Sequence, residues 1–313
     1  MTRSDDAKAV VALASRLGDS QRPSLSPTRW HRLYSVLTYQ GIAPADVFAA
    51  DFEPGDVPGI DGDLAATMRE LLDSAPAATV EASDLDQIGI DVVTIVDDAY
   101  PTPLRERLGD QAPPVLFSVG DLGLLDGSGI GIVGSRDISE DGKEAAETIA
   151  RTAAEHGRPV VSGAARGVDT FAMNAAFLAD GVVIGVLADS LHARIRKPDV
   201  LRAIDAGRIC LVSQQHPKAG FSAGSAMARN KLVYALTSTT VVICSDLDSG
   251  GTWAGATEAL KKQLADVAIW NGPGAWPGNA RLIELGGRAI TTPNDVFALA
   301  AEQSEEPEQL TLG

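Results

Sequence analysis

The 313-residue sequence has few of the residues that mark several large classes of protein. Its two cysteines, Cys210 and Cys244, exclude a disulfide framework and a cysteine-rich zinc module. The four histidines have none of the spacings typical of metal ligands, so no metal site is predicted. Aromatic residues make up only 5% of the chain, which argues against a base-stacking platform as the main binding device. The longest apolar runs, such as residues 182–188, are too short to cross a bilayer, and no signal-peptide pattern opens the sequence. We therefore expect a cytoplasmic protein with no membrane contact.

The net charge of -16 is distributed unevenly along the chain. Residues 1–90 carry 14 acidic and 7 basic side chains, whereas residues 91–290 carry 23 and 19. Within the latter, residues 181–243 contain eight basic and three acidic side chains. Because local potential decides whether a phosphate backbone can dock, the acidic total does not exclude a nucleic-acid ligand. Charge alone leaves open that these basic residues are only scattered, solvated side chains.

Two patterns of apolar residues divide the chain. In residues 1–80, apolar residues recur at three- and four-residue spacing, which predicts a small helical module that either binds DNA or only packs. In residues 85–298, short β-branched runs alternate with helical stretches. This alternation predicts an α/β domain, an extended Rossmann-like, doubly wound and mostly parallel sheet. Residues 299–313 are predicted to be an acidic, flexible tail.

Three loops at the carboxyl ends of predicted strands have the composition of an anion-binding cradle. Small residues let the backbone approach an oxyanion, helix N-termini direct N–H groups at it, and arginine adds charge. The loops contain Gly134, Ser135 and Arg136; Ser162, Gly163, Arg166, Gly167 and Asp169; and Ser249, Gly250, Gly251 and Thr252. Because ligands of such sheets bind outside the carboxyl ends of the strands, the three loops predict a phosphate site there.

Enzymatic signals in the sequence are weak. Residues 129–134 match the dinucleotide fingerprint G-x-G-x-x-G, but two of the glycines lie within or before the apolar run that should precede them. We therefore predict no nicotinamide or flavin site and no cofactor. Glu258 is the best candidate for a catalytic acid, although a solvated glutamate paired with Lys261 or Lys262 is the simpler interpretation.

Five short motifs follow one another in the chain and together resemble a known family. They are Y-P-x-x-L from Tyr100, P-P-V-L-F-x-x-G-D from Pro113, V-G-S-R from Val133, S-G-x-A-R-G-V-D from Ser162 and R-N-K from Arg229. In this order they resemble the DNA-processing protein A family, DprA/Smf, over about residues 85–290. Residues 1–75 resemble that family's N-terminal SAM-like or helix-hairpin-helix extension.

The resemblance implies an extended Rossmann fold that binds single-stranded DNA without turning over a substrate. It also implies a role in natural transformation and recombination, loading of RecA recombinase and a homodimer. Arg136, Arg166, Arg229 and Lys231 would contact phosphates, and Asp169 would orient Arg166. The remaining implied residues are Asn230 of the R-N-K motif and the small residues of the three loops. Basic residues between 194 and 231 would line the groove.

The sequence departs from the family's pattern at several points. Met173 stands where the family usually has histidine, Gln214 where it has glutamate, and Met227-Ala228 where it has Phe-Pro. We also expect the family's C-terminal winged helix to be missing. A divergent role, in nucleotide sensing or in defence against mobile elements, therefore stays open.

Two further functions remain as alternatives. The wider superfamily includes LOG-type phosphoribohydrolases, which use a Gly-Gly-x-Gly-Thr loop followed by glutamate. Residues 249–253 with Glu258 resemble that loop imperfectly, because a glycine between Gly251 and Thr252 is missing. The chain would then be a nucleotide sensor or an N-glycoside hydrolase. The second alternative is a structural or interaction module.

Overall fold

A computed structural model describes residues 3–19 and 23–297. By contacts, the chain separates into two compact units. The first unit contains the chain up to Gly123 together with Leu187–Ser225, and the second contains Leu124–Val186 and the chain from Ala226 onward. The helical residues thus belong to the same unit as the first strands, and the predicted boundary between residues 80 and 85 stays a prediction. The predicted tail, residues 299–313, lies outside the described residues.

Most of the helices in the described residues lie in stretches of helical apolar periodicity. The helices are α1 (Asp5–Ala14), α2 (Pro27–Tyr39), α3 (Gly62–Asp73), α4 (Ala75–Gln87), α5 (Thr102–Leu108), α6 (Glu140–Glu155), α7 (Val168–Leu178), α8 (Leu191–Arg194), α9 (Pro198–Asp205), α10 (Ala223–Ala235), α11 (Gly250–Lys262) and α12 (Pro277–Glu284). Among these described residues, no helix has the length and apolar content needed to cross a membrane.

The strands are short and mostly buried along their whole length. They are β1 (Asp91–Thr94), β2 (Val115–Val119), β3 (Gly129–Val133), β4 (Val160–Ser162), β5 (Val183–Val186), β6 (Ile209–Ser213), β7 (Thr237–Val242), β8 (Asp266–Trp270) and β9 (Arg288–Ile290). Continuous burial is expected where helices cover both faces of a sheet.

The first unit combines the helical module with antiparallel strands. Side-chain oxygens of Ser4, Ser26 and Asp61 accept hydrogen bonds from first-turn N–H groups and so begin α1, α2 and α3. Helix α4 is not apparent in the sequence, because its buried face contains three alanines and a single leucine, Leu85. Strand β2 pairs antiparallel with both β1 and β6, so the parallel arrangement predicted for the sheet does not extend to these strands.

The second unit contains the parallel part of the sheet, in the order β5-β4-β3-β7-β8-β9. The predicted α/β class and mostly parallel sheet are thereby confirmed. Successive strands run outward from β3 on one side, through β4 to β5, and from β7 on the other, through β8 to β9. The strand order therefore reverses between β3 and β7. Such a reversal opens a crevice at the carboxyl ends of the two strands, where ligands of doubly wound sheets bind.

Candidate nucleic-acid interface

The three glycine- and serine-rich loops meet around the reversal point in the second unit. The Ser135 N–H, just after β3, donates to the carbonyl of Cys244 after β7, at 3.1 Å. The Ser135 carbonyl in turn accepts from the N–H of Val168, at 3.3 Å, where α7 begins. The loop after β3 is therefore hydrogen-bonded to both of its neighbours, so the structure brings the predicted loops together.

Two glycines allow the loops after β3 and β4 to lie in direct contact. A Cβ on Gly134 would lie 2.5 Å from Cγ2 of Val168, and a Cβ on Gly167 would lie 2.6 Å from the Arg136 carbonyl. Gly167 also has φ of +79°, a conformation that side-chain-bearing residues rarely adopt. The close approach holds the neighbouring Arg136 and Arg166 on adjacent loops. Both arginines are exposed.

Arg229 lies beneath these loops and is only 6% exposed. Its Nη1 is 3.5 Å from Oδ2 of Asp169 and donates to the Val186 carbonyl at 3.4 Å. Asp169 is also 6% exposed, because the second residue of α7 faces the interior. The expectation that Asp169 orients Arg166 is therefore wrong: the carboxylate pairs with Arg229, and Arg166 projects from the exposed part of the loop.

The buried pair shapes the loop after β4. A Cβ on Gly163 would overlap the Arg229 guanidinium, so this glycine makes room for a protein side chain. Burial raises the pKa of Asp169, while the Arg229 guanidinium and the N–H of Ala165 oppose the rise. The Ser162 hydroxyl is buried and donates to the Ile132 carbonyl at 2.6 Å. These residues fix the position of the loop from below.

Tyr234 is a buried polar residue of this region that sequence reasoning missed. It is on α10 and packs against α11, since a Cβ on Gly255 would lie 3.3 Å from its Cε2. Its hydroxyl is buried and has no hydrogen-bond partner among the described residues. Burial, with a further contribution from the charge of Asp169, raises the pKa of this hydroxyl. The signal in the sequence is a tyrosine in an otherwise small or aliphatic stretch five residues after Arg229.

The R-N-K motif also organises the start of α11. The Asn230 side-chain amide donates to the Gly251 carbonyl at 3.1 Å. Lys231 lies 2.9 Å from Oε1 of Glu258, and Lys262 lies 2.8 Å from the same oxygen. Partial burial alone would raise the pKa of Glu258, but the hydrogen bonds from the two lysines outweigh it and lower the pKa. The predicted pairing of Glu258 with Lys262 is confirmed, with Lys231 as a second partner.

The first turn of α11 completes the edge. Ser249, Gly250 and Gly251 are exposed and Thr252 is half-buried. The Ser249 side chain makes no capping hydrogen bond, and Gly250 has φ of +83°. The arrangement thus combines the N-termini of α7 and α11 with two exposed guanidinium groups, which favours binding of anions. Within residues 3–19 and 23–297, no group of histidine, cysteine, aspartate and glutamate side chains could hold a metal ion.

The basic residues expected between 194 and 218 belong to the first unit. Arg194 there pairs with Asp189 at 3.3 Å. The first unit also contains a cavity of about 690 Å³, formed by one face of α4 with His192 and Lys218. None of the loop residues described above lines this cavity.

The fold and the site together define a class of protein: a Rossmann-like domain with glycine-rich loops and exposed arginines at the point where the strand order reverses. Residues 91–301 match the model of the family described as DNA recombination-mediator protein A, and the chain belongs to that family. The resemblance to DprA/Smf is thereby confirmed.

Individual relatives agree with this assignment. The DNA processing protein DprA of Bacillus subtilis is 29% identical over 223 residues, which cover 69% of this chain and 73% of the relative. The DprA of Streptococcus pneumoniae is 30% identical over 209 residues, covering 66% and 72%.

Solved structures extend the comparison to the fold. The crystal structure of S. pneumoniae DprA has a TM-score of 0.68 at 23% identity and covers 95% of this chain and 98% of its own. DNA processing protein A from Helicobacter pylori has a TM-score of 0.56 at 28% identity and covers 68% and 96%. The structure of the H. pylori protein describes a single-stranded DNA binding mode.

Proposed function

We propose that this chain binds single-stranded DNA and holds its phosphates along the loop edge of the second unit, through Arg136 and Arg166. The observation that carries the proposal is the contact between the loops after β3 and β4. Gly167 packs against the backbone of Arg136, which keeps both exposed guanidinium groups on adjacent loops of one edge. Guanidinium groups suit phosphate oxygens because they donate in a fixed fork. Family membership and the DNA binding mode of the H. pylori relative support the same ligand.

In this proposal, some of the other predicted residues face the phosphates and others support the loops. The largely exposed stretch Ser249–Thr252 offers backbone N–H groups, and Gly134 allows a phosphate to approach the backbone closely. Ser135, whose N–H donates to the Cys244 carbonyl, joins the loops after β3 and β7. Lys231 contributes positive potential that it shares with Glu258. Arg229 acts from below as support for the loop, with Ser162, Gly163 and Asp169 around it. A direct contact of Arg229 with phosphate, which the resemblance implies, stays a prediction.

The geometry favours binding over catalysis. An acid catalyst must hold a proton near neutral pH, which requires a raised pKa. The two lysines around Glu258 lower its pKa instead, so this residue suits a structural ion pair. The LOG-type alternative thereby loses its best candidate acid.

Titration of a fluorescent oligo-dT of about 20 nucleotides at low and moderate salt tests the proposal. We expect tight binding at low salt that weakens steeply, because each phosphate contact contributes a slope of about -0.7 to the log–log plot. Weak binding at both salt concentrations would contradict the proposal. Incubation with AMP is the companion assay, and release of adenine would favour the phosphoribohydrolase alternative.

We further propose that the bound strand is passed to RecA recombinase in the cytoplasm, by a homodimer of this chain. The support is the family itself, whose description is that of a recombination mediator. The test is the growth of RecA filaments on oligo-dT coated with single-strand binding protein, with ATP hydrolysis as the readout. A shortened lag in the presence of this chain is expected, and an unchanged lag would contradict the transfer. Sedimentation equilibrium measures the dimer separately.

A further inference from the structure

We infer that the loop edge also has a base-binding half, in which Trp253 and Trp276 stack against nucleobases of the same strand. This inference rests on the proposed binding of single-stranded DNA. The low aromatic content excludes a broad stacking platform, but the chain has four tryptophans and two of them lie at this edge. Base–aromatic stacking tolerates any sequence because every base has a π-face.

Trp253 lies in the first turn of α11, directly after Ser249–Thr252. Its side chain is half-buried. The hydrogen bond from Asn230 to the Gly251 carbonyl fixes this turn two residues earlier. The ring is therefore attached to a backbone that is held in place, which lowers the entropy cost of stacking a base on it.

Trp276 ends the loop after β8 and immediately precedes α12. It too is half-buried. Buried Asn279, in the first turn of α12, accepts from the Ser245 N–H at 2.9 Å and donates to the carbonyls of Ile243 and Trp270 at 2.9 and 2.7 Å. The Gly278 N–H donates to the Ser245 carbonyl at 3.0 Å. The start of α12, and with it Trp276, is thus tied to the loop after β7.

The two tryptophans and the two arginines lie along one continuous edge. The loop after β7 contacts the loop after β3 through the bond between Ser135 and Cys244. In the order β4-β3-β7-β8, the arginines follow the first two strands and the tryptophans follow the last two. Neighbouring strands lie about 4.8 Å apart, so the halves are within reach of one short oligonucleotide. Leu247, on the loop after β7, is 48% exposed and adds apolar surface to the aromatic half.

The remaining tryptophans are unsuited to this role. Trp30 is 1% exposed in α2, and Trp270 is 6% exposed in β8. Partial exposure at the edge distinguishes Trp253 and Trp276 from both.

The test compares oligo-dT with an abasic phosphodiester strand of the same length, for the full chain and its Trp253→Leu, Trp276→Leu and matched Phe variants. Leucine keeps apolar packing and removes the ring, whereas phenylalanine keeps a ring. Each Leu variant should lose about tenfold in affinity for oligo-dT and bind the abasic strand as the wild type does. Each Phe variant should retain most of the oligo-dT affinity.

Three outcomes would overturn the inference. Leu variants that bind oligo-dT as tightly as the wild type show that no base stacks there. Equal losses for oligo-dT and the abasic strand show that the rings act only through packing, which thermal melting of the variants would reveal. If the wild type binds oligo-dT and the abasic strand with equal affinity, the bases contribute nothing to binding, and only the proposed phosphate site remains. Failure of the wild type to bind either strand would instead remove the proposed function itself.

Discussion

Two pairs of basic residues in the second unit have opposite environments. Arg136 and Arg166 are exposed on adjacent loops, whereas Arg229 is buried against Asp169 and half-buried Lys231 is bound to Glu258. The same motifs suggest phosphate contacts for all four residues. Exposure therefore divides the four residues, and under the proposed function the exposed arginines meet the ligand while the less exposed residues support the loops. The predictions below test this division.

The largest effect is expected from Arg229→Leu. This change leaves the Asp169 carboxylate buried without its partner, which costs about 3–5 kcal/mol of the free energy of unfolding. Urea denaturation measures the loss. Asp169→Asn should also destabilise, since it leaves the guanidinium buried without a carboxylate.

Arg166→Ala is the matched control for stability, because its side chain is exposed and lies on the neighbouring loop. Its free energy of unfolding should stay within about 0.5 kcal/mol of the wild type. An Arg229→Leu protein as stable as Arg166→Ala would show that the buried pair does not support the loop.

Gly163→Ala should destabilise by about 1–3 kcal/mol, because the new methyl group overlaps the Arg229 guanidinium. The cause can be isolated by repeating the substitution in the Arg229→Leu background, where the guanidinium is gone. There the cost of Gly163→Ala should shrink, which gives a coupling energy in a double-mutant cycle. Equal costs in both backgrounds would mean that the glycine is needed for another reason.

For oligo-dT affinity, in contrast to stability, the exposed arginine should matter more than the basic residue that is paired with a carboxylate. Arg166→Ala should weaken binding about tenfold, as expected for loss of one charge-assisted hydrogen bond to phosphate. Lys231→Ala should weaken it by less, about threefold or under, because Glu258 already compensates this charge. Fluorescence anisotropy measures both. A larger loss for Lys231→Ala than for Arg166→Ala would reverse the assignment of contact and support.

The smallest effect concerns pH. The folded pKa of Glu258 is lowered: burial opposes this direction, but the hydrogen bonds from Lys262 and Lys231 prevail. The ion pairs therefore stabilise the fold above the unfolded pKa of about 4.3, and this contribution is lost as pH falls through the lower folded value. For partly exposed pairs we expect under ~1 kcal/mol. The stability difference between wild type and Glu258→Gln, from urea midpoints at neutral and acid pH, should shrink on acidification, and a pH-independent difference would contradict the pairing.

Much of the fold and the location of the site can be predicted from the sequence. Continuous runs of β-branched residues predict the buried strands. The small residues after β3, β4 and β7 predict the loops, because turns from strand to helix need small residues. The partner of Arg229 cannot be predicted in this way, since Asp169 lies 60 positions earlier in the chain and meets it only in the folded protein. Helix α4 escapes periodicity because its buried face is mostly alanine.

The salt dependence of oligo-dT binding tests the central division most directly. The wild type is compared with Arg136→Ala/Arg166→Ala and with Arg151→Ala/Arg281→Ala, which removes two exposed charges from the bodies of α6 and α12. At about 0.7 per phosphate contact, the loop-edge variant should have a log–log slope about 1.4 units shallower than the wild type, and the control variant an unchanged slope. An unchanged slope in the loop-edge variant, or equal changes in both variants, would contradict the account.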